Sequence, residues 1–375
     1  MAESIRYHEV KPNNSKDVYG EFDNVSWDLV ADGRKLLKNS IRVEADVQIF
    51  QTGTTRKAAA NDMRVSHLIG AHAFWESWSC ENASGQLEVL QSYPRYVNHV
   101  ASGSLDSEDL CNAHFIAELR NPAPAGASAA IEEQVTYNDN ATNTVINSDA
   151  SFSISPMLCF NRMTGDYSFS KKGGIRISAN LARAVHALYG RDVAADSSYG
   201  LKNLVLKFTT VPDDGSDEKL MMESYVHIKT SVNSTDFNVS SRVPSKAVNG
   251  VSISFLDQSH ESDNRQINTY RLETFEQIDE ISYLFNNSLG KFITYKLDDR
   301  SDMIKKGLEA MYDAGHHQVN GNKLKGNQAF MVGTNFSEYL DLSSNKFTFN
   351  IKTSNANISN NPKICFLYFH QLLSL

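Results

Sequence analysis

The sequence predicts an all-β protein made of two similar sandwich domains in tandem, and a repeated strand is the main observation behind that prediction. Lys202–Phe208 and Lys363–Phe369 share a lysine, a central leucine and a final phenylalanine. Each copy follows another strand-like segment, at 174–181 and 346–351. The copies lie about 160 positions apart, the length of one sandwich domain, and the 375 residues suffice for two such domains. Such a repeat favours a building block over an enzyme.

Alternation of apolar and polar residues is the second observation. Over 41–49, apolar side chains occupy every odd position and polar or charged ones the even positions, which predicts a strand with one dry and one wet face. The segment 364–369 is apolar on both faces, so we expect it to be central in its sheet or covered by a neighbour. Further alternating segments lie at 152–155, 175–181, 204–208, 226–229, 251–255 and 347–351.

Helices are few in the prediction, and the rarity of helices between strands argues against βαβ units. A short helix is expected over 182–189, where Gly190 ends it, and a second over 301–313, with Ser301 as its N-cap. The segment 276–285 is a candidate for a third.

The domain boundaries follow from the polar stretches. Residues 1–35 are polar and weakly patterned, so we expect an N-terminal arm that orders against a partner. The first domain is predicted over 36–212, the linker over 213–219 and the second domain over 220–375. The linker contains the turn-forming pair Asp214-Gly215, and it directly follows the first copy of the repeated strand.

Composition bounds the function. The net charge is -8 and no run of Lys or Arg occurs, which argues against a large or sequence-specific nucleic-acid interface. The N-terminus carries no apolar run, so we expect no secretory signal, and no stretch is apolar enough to cross a membrane. The four cysteines, with irregular spacing and no C-x-x-C pair, are expected to be free core thiols; they are Cys80, Cys111, Cys159 and Cys365.

The sequence contains none of the common catalytic motifs. The sequence has no Gly-x-Ser-x-Gly elbow and no P-loop. His67 and His72 have a spacing that suits neither a strand nor a helix face, and the adjacent pair His316-His317 diverges. We therefore expect no catalytic residues, no metal site and no cofactor.

Aromatic residues beside a carboxylate form the one constellation with functional potential. Glu76 and Trp78 would share a face of a strand that also carries Trp75. Sugar-binding and sugar-cleaving sandwiches place aromatic platforms beside carboxylates in this way. The alternative interpretation is that Trp75 and Trp78 pack in a core or at an interface between subunits. Trp75, Glu76 and Trp78 are thus candidates for subunit-interface or glycan contact.

The chain resembles the double jelly-roll major capsid proteins of the tectivirus and adenovirus lineage, and most of all those of virophages and polinton-like viruses. The similarity covers most of 36–375. Its motifs are structural and carry no catalytic residues. The segments that carry it are Ser40–Val43, Phe152–Ile154, Gly173–Ile177, Tyr199–Leu206, Tyr339–Phe347 and Phe366–His370.

The resemblance implies two tandem eight-stranded jelly rolls with a few short helices in loops. It implies a structural protein of the virion, assembled inside the host cell and not secreted, whose homotrimers form pseudo-hexagonal capsomers of an icosahedral shell. The implied partners are further copies of itself, penton and minor capsid proteins, and an internal membrane. A minor capsid, penton or spike component and a glycan-binding or glycan-cleaving sandwich are the alternatives. The repeated segments are predicted to be equivalent last strands of the two jelly rolls.

Overall fold

The computed structural model is mostly β-structure, and its described residues form four sheets. No helix in its described part is long and apolar enough to cross a membrane. Several residues named in the sequence analysis lie outside the described residues. They are Cys111, His67, the pair His316-His317 and, apart from residue 305, the predicted helix over 301–313. The structure describes residues 4–57, 63, 65, 69–104, 117–119, 150–190, 192–216, 219–261, 270, 273, 275, 278–285, 291–296, 305, 331–344 and 346–375.

The first half of the chain forms two sheets that face each other. One sheet has the strand order β1-β11-β4-β8, extended by the short strands β3, β5 and β9, and the other has the order β2-β10-β6-β7. All pairings are antiparallel. The strands are β1 (Arg6–Val10), β2 (Asn24–Leu29), β3 (Arg34–Leu36), β4 (Arg42–Thr52), β5 (Thr55–Arg56), β6 (Trp75–Asn82), β7 (Gly85–Leu90), β8 (Ala150–Ile154), β9 (Tyr167–Ser168), β10 (Ile175–Leu181) and β11 (Ser198–Pro212).

The second half forms two further antiparallel sheets of four strands each. Their orders are β12-β19-β14-β17 and β13-β18-β15-β16. The strands are β12 (Met221–Val232), β13 (Asp236–Arg242), β14 (Val248–Asp257), β15 (Ile278–Phe285), β16 (Lys291–Lys296), β17 (Met331–Leu340), β18 (Lys346–Thr353) and β19 (Lys363–Ser374).

Both halves share one topology. With the three short added strands set aside, each half places its first, eighth, third and sixth strands in one sheet and its second, seventh, fourth and fifth in the other. This arrangement is the jelly roll, and the chain is a double jelly roll. The repeated segments lie in β11 and β19, the eighth strand of each barrel, so the prediction of equivalent last strands is confirmed.

The predicted N-terminal arm is wrong for most of its length. β1 and β2 are the first and second strands of the first jelly roll, which therefore begins within 1–35. Val25, Trp27 and Leu29 are fully buried while the residues between them face outward. This alternation over five residues is the signal of a half-buried strand, and it was concealed by the polar composition around it.

The helices differ from the prediction in length and in kind. Residues Ala184–Ala187 form a single helical turn, so the helix predicted over 182–189 is confirmed only at its centre. The candidate helix at 276–285 is instead β15, which pairs with β16 and β18. Non-local pairing overrides local propensity there. The helices that lie within the described residues are α1 (Tyr93–Ser104), α2 (Phe169–Lys172), α3 (Ala184–Ala187) and α4 (Gln258–Glu261), with 3₁₀ turns at Gly70–Phe74 and Cys159–Asn161.

The predicted strands and the two-sided burial of the last one are confirmed. Each of the seven alternating segments overlaps a strand, with only Ile41 and Ser155 lying outside β4 and β8, and β19 is central, between β12 and β14. One face of β19, carrying Cys365, Leu367 and Phe369, packs inside the second barrel. The opposite face, carrying Phe366 and Tyr368, packs with the core of the first barrel. The two barrels therefore share apolar packing along β19.

The segment between the barrels is tied to the first one. The buried Lys35 ammonium lies 2.5 Å from an Asp214 carboxylate oxygen and 4.0 Å from one of Asp213. The Ser168 hydroxyl donates to Asp213 at 2.5 Å. The hydrogen bond from Lys35 holds the pKa of Asp214 well below its usual range. These contacts fix the chain where it leaves β11.

Candidate functional site

Trp75 and Trp78 lie in the interior of the first barrel. Their exposed fractions are 0% and 1%, so neither ring is available as a sugar platform or as a contact for another subunit. The candidate role of these two side chains is corrected to core packing. The physical reason is that β6 sits inside the sheet between β10 and β7, and both tryptophans belong to the buried core of the first barrel.

The two rings belong to a cluster of three tryptophans. The Trp78 ring centroid lies 4.7 Å from that of Trp75 and 6.2 Å from that of Trp27 on β2. None of the three indole N–H groups has a hydrogen-bond partner in the described part of the chain. The rings therefore contribute through area and packing rather than through directed polar contacts.

Glu76 has a different environment, because its side chain points away from the tryptophans. It lies near the second barrel, where the Tyr270 hydroxyl donates to its carboxylate at 3.5 Å. Burial raises the pKa of Glu76, and the positive charge of Arg95 opposes that shift. Of the three predicted site residues, only Glu76 reaches a boundary between structural units.

That boundary is the junction between the barrels, which we define as α1 packed on the outer face of β12 and β19. Its centre is aromatic. The Tyr96 ring on α1 lies 4.0 Å from the Tyr225 ring and 5.2 Å from the Tyr368 ring, and the latter two are 5.4 Å apart. All three are fully buried. An aromatic contact of this size between two jelly rolls is expected to hold them as one block.

Polar contacts surround the aromatic centre. The Asn98 side-chain amide donates to the Tyr270 carbonyl at 2.8 Å, and the Tyr225 hydroxyl donates to the Gln91 carbonyl at 3.2 Å. The Tyr368 hydroxyl donates to the Ser92 carbonyl at 3.4 Å. Every pair joins the first barrel to the second, so buried polar groups on both sides are satisfied across the junction.

Two basic side chains and a histidine lie on the same face of β19. The Arg95 guanidinium is 4.0 Å from the Phe366 ring centroid, a cation–π contact. The His227 ring on β12 lies 5.0 Å from the Tyr368 ring and 5.9 Å from the Phe366 ring. Burial first, and then the charges of Arg95 and Lys229, lowers the pKa of His227 from 6.5 to about 3. His227 is therefore neutral at physiological pH.

Backbone contacts extend the junction. Leu220 and the C-terminal Leu375 exchange two backbone hydrogen bonds of 3.0 Å, which close the end of the second barrel. Met163 of the first barrel forms an isolated bridge with Met222 on β12. The Thr164 amide donates to the Met221 carbonyl at 2.9 Å.

One acidic group of side chains with a histidine lies at the end of β14. Ligand atoms of Asp257, His260 and Glu273 lie within 4.8 Å of one another. His260 Nδ1 is 2.6 Å from a Glu273 oxygen, and the Lys363 ammonium is 2.5 Å from Asp257. Its carboxylates are already paired with His260 and Lys363, so we interpret the group as a structural contact that stabilises the ends of β14 and β19.

Apolar side chains on the surface are the features that suit contact with other chains. Tyr7 on β1 is 84% exposed. β1 pairs with β11 on one side, and no other described strand pairs with its outer edge. An exposed strand edge with apolar side chains is a surface that proteins normally cover. Elsewhere in the described part of the chain, the exposed large apolar residues are Ile5, Val18, Phe22, Val30, Val89 and Tyr339.

The sequence drew attention to the right segment but not to the junction. Tyr93 and Tyr96, which follow Trp78 closely, both belong to α1, and only the packing of Tyr96 against Tyr368 of β19 shows the role of this helix in the junction. The sequence signal for the junction was the segment 364–369, which is apolar on both faces. Such a strand needs a neighbouring element to cover its second face. The identity of that neighbour could not be read from the pattern.

Comparisons with known proteins find no matching family model and no matching curated protein. Solved structures do match over the whole length. The Faustovirus major capsid protein has a TM-score of 0.62 at 9% identity, covering 100% of this chain and 90% of that one. A chain of the Sputnik virophage structure has a TM-score of 0.60 at 10% identity, covering 100% and 87%. The mavirus major capsid protein has a TM-score of 0.52 at 8% identity, covering 98% and 86%. At these low identities, the TM-scores above 0.5 establish a shared fold.

Proposed function

We propose that this chain is a viral major capsid protein that assembles as a homotrimer, forming the pseudo-hexagonal capsomers of an icosahedral shell. The observation that carries the proposal is the double jelly roll itself, whose eight-strand order repeats in both halves. The same fold, over the full length of the chain, belongs to the major capsid proteins of Faustovirus and mavirus.

The junction gives the proposed tile its rigidity. A trimer of two-barrel chains presents six barrels around a threefold axis. A hexagonal outline requires that the two barrels of each chain keep a fixed orientation relative to each other. The buried ring cluster of Tyr96, Tyr225 and Tyr368 holds the two barrels in that orientation. In this proposal the first jelly roll extends to residue 212, residues 213–219 are the linker, and the second jelly roll spans 220–375.

The contacts of the proposed tile are structural rather than catalytic. Its main partner is a second copy of the chain, followed by neighbouring capsomers. Penton and minor capsid proteins would contact it at the edges of facets, and an internal membrane would lie under the shell. Its place is the virion, after assembly inside the host cell. The burial of Trp75 and Trp78 removes the observation that motivated a glycan site.

The oligomeric state tests the proposal directly. Light scattering coupled to size-exclusion chromatography should give three times the mass of the chain at micromolar concentration. Negative-stain images of the same fractions should show threefold particles with a hexagonal outline. A stable monomer at that concentration, or a dimer with no trimer, would contradict the proposal.

A surface variant tests whether the edge at β1 is part of the contact between copies. Tyr7→Asp places a charge on the most exposed large apolar side chain of the described residues and should lower the association constant of the trimer at least ~10-fold, as loss of about 1.4 kcal/mol would. Asn233→Asp adds the same charge at an exposed turn and should leave the trimer unchanged. Equal behaviour of the two variants would locate the contact elsewhere.

A further inference from the structure

Two cysteines and a glutamate converge in the wall of the first barrel that faces the second. Cys80 on β6 and Glu88 on β7 are direct cross-strand partners, and Cys159 begins the 3₁₀ turn that follows β8. Both sulfur atoms and a carboxylate oxygen of Glu88 lie within 4.8 Å of one another. The cysteines are 0% exposed and Glu88 is 3% exposed. The cysteines are free thiols, as predicted.

The carboxylate of Glu88 is held in place by groups on both barrels. One of its oxygens accepts the backbone N–H of Cys159 at 2.6 Å. The other accepts the hydroxyl of Ser224, on β12 of the second barrel, at 2.7 Å. Hydrogen bonds that orient a carboxylate are the kind of outer-shell support that metal ligands have in proteins. The donors are therefore pre-positioned rather than gathered by chance on a mobile surface.

The charge balance of the cluster favours a divalent cation. The Arg162 guanidinium interacts with the Glu88 charge, so the cluster is neutral when both thiols are protonated. Exchange of the two thiol protons for one divalent cation leaves the total charge unchanged. Buried sites that stay neutral avoid the large cost of an uncompensated charge.

We propose that Cys80, Glu88 and Cys159 bind one zinc ion, which joins β6, β7 and the 3₁₀ turn beside the junction. Two thiolates and one carboxylate are ligands that Zn²⁺ takes, and thiolate sulfur selects it over Mg²⁺ and Ca²⁺. Binding releases the two thiol protons, so affinity rises with pH. A small neutral ligand such as water completes the coordination. The site is independent of capsid assembly.

Metal content and cobalt absorption test the site on the full-length chain. Protein made in zinc-supplemented medium and purified without metal-affinity resin should contain about one zinc per chain. Replacement of zinc by Co²⁺ should give the thiolate-to-cobalt charge-transfer absorption in the near ultraviolet. Cys80→Ser and Cys159→Ser should each lower bound zinc roughly 10-fold or more and weaken that absorption.

Cys365→Ser is the matched control, because Cys365 is a buried free cysteine in the core of the second barrel. This variant should keep both the zinc and the cobalt signal. If the Cys80 and Cys159 variants do not fold, the wild-type cobalt spectrum decides the question by itself. Folded, reduced wild-type protein with no zinc and no thiolate–cobalt absorption would overturn the proposal. A Cys80–Cys159 disulfide, seen as a mass loss of two hydrogens, would also overturn it.

Discussion

The last strands of the two jelly rolls hold the same position in the same topology, yet they are buried differently. In β11, buried and partly exposed residues alternate from Leu204 to Thr210. In β19, eight consecutive residues from Ile364 to Gln371 are buried. The difference lies outside each barrel: the outer face of β19 is covered by α1 and the first barrel, whereas the outer face of β11 carries charged residues such as Lys207. A neighbour, rather than the strand's own sheet, decides how apolar the second face becomes.

The two strands also differ in regularity. The ladder between β14 and β19 runs from Asp257/Lys363 to Gly250/His370 without a break. The ladder between β4 and β11 shifts register after Lys202, where Asn203 adopts a positive φ of 52° and its amide donates to Asp46 at 2.7 Å. A bulge of this kind increases local twist and bends the strand. The first barrel thus accommodates an extra residue that the second lacks.

The largest expected effect on stability comes from replacing, by alanine, the residue at the same outer-face position of β19 and of β11. Tyr368→Ala removes a fully buried ring from the junction and should lower the free energy of unfolding by about 3–5 kcal/mol. Lys207 stands at the equivalent place in β11, paired with Glu44 at 2.5 Å on a partly exposed surface. Lys207→Ala should cost less than ~1 kcal/mol. Urea unfolding of both variants measures the contrast, and equal losses would contradict the role assigned to the junction.

Acidification should weaken the junction through His227. Its folded-state pKa of about 3 lies below the usual 6.5, so the unfolded chain takes up the proton first as pH falls. The stability that neutral His227 provides is complete above about pH 6.5 and is lost as pH falls toward about 3. Between pH 7 and 4 the loss should reach at most about 3 kcal/mol, at about 1.36 kcal/mol per pH unit.

The variant His227→Phe separates this histidine from the other titrating groups. It keeps a ring against Phe366 and Tyr368 but cannot take up a proton. Its free energy of unfolding should fall less than that of the wild type between pH 7 and 4. Matching pH profiles would show that other groups account for the acid sensitivity.

The bulge should give the smallest effect. Asn203→Ala and Asn203→Gly both remove the hydrogen bond to Asp46, but only alanine carries a Cβ into the positive-φ conformation. The alanine variant should be less stable by about 1 kcal/mol. At Ile364, which lies in the unbroken part of the ladder of β19, the order should reverse, because glycine weakens a regular strand. Thermal unfolding of the four variants tests this, and the same order at both positions would contradict it.

The sequence located the strands better than it located the boundaries and the site. Strict alternation at 41–49 and 175–181 was sufficient to predict β4 and β10, because period two is a local property of one half-buried strand. β2 was missed although Val25, Trp27 and Leu29 alternate, since the segment is short and its surroundings are polar. The aromatic residues Trp75 and Trp78 suggested a surface site, but a pattern of aromatic residues does not indicate which face of a sheet is buried.

The sequence by itself determined the all-β class, the two-domain plan and the equivalence of the last strands, because these depend on local periodicity and on a repeat within the chain. Only the tertiary structure decided that the N-terminal residues complete the first barrel and that β19 carries the junction. It also placed Cys80, Glu88 and Cys159 together. These features depend on contacts between segments far apart in the chain, and such contacts produce no periodic pattern in the sequence.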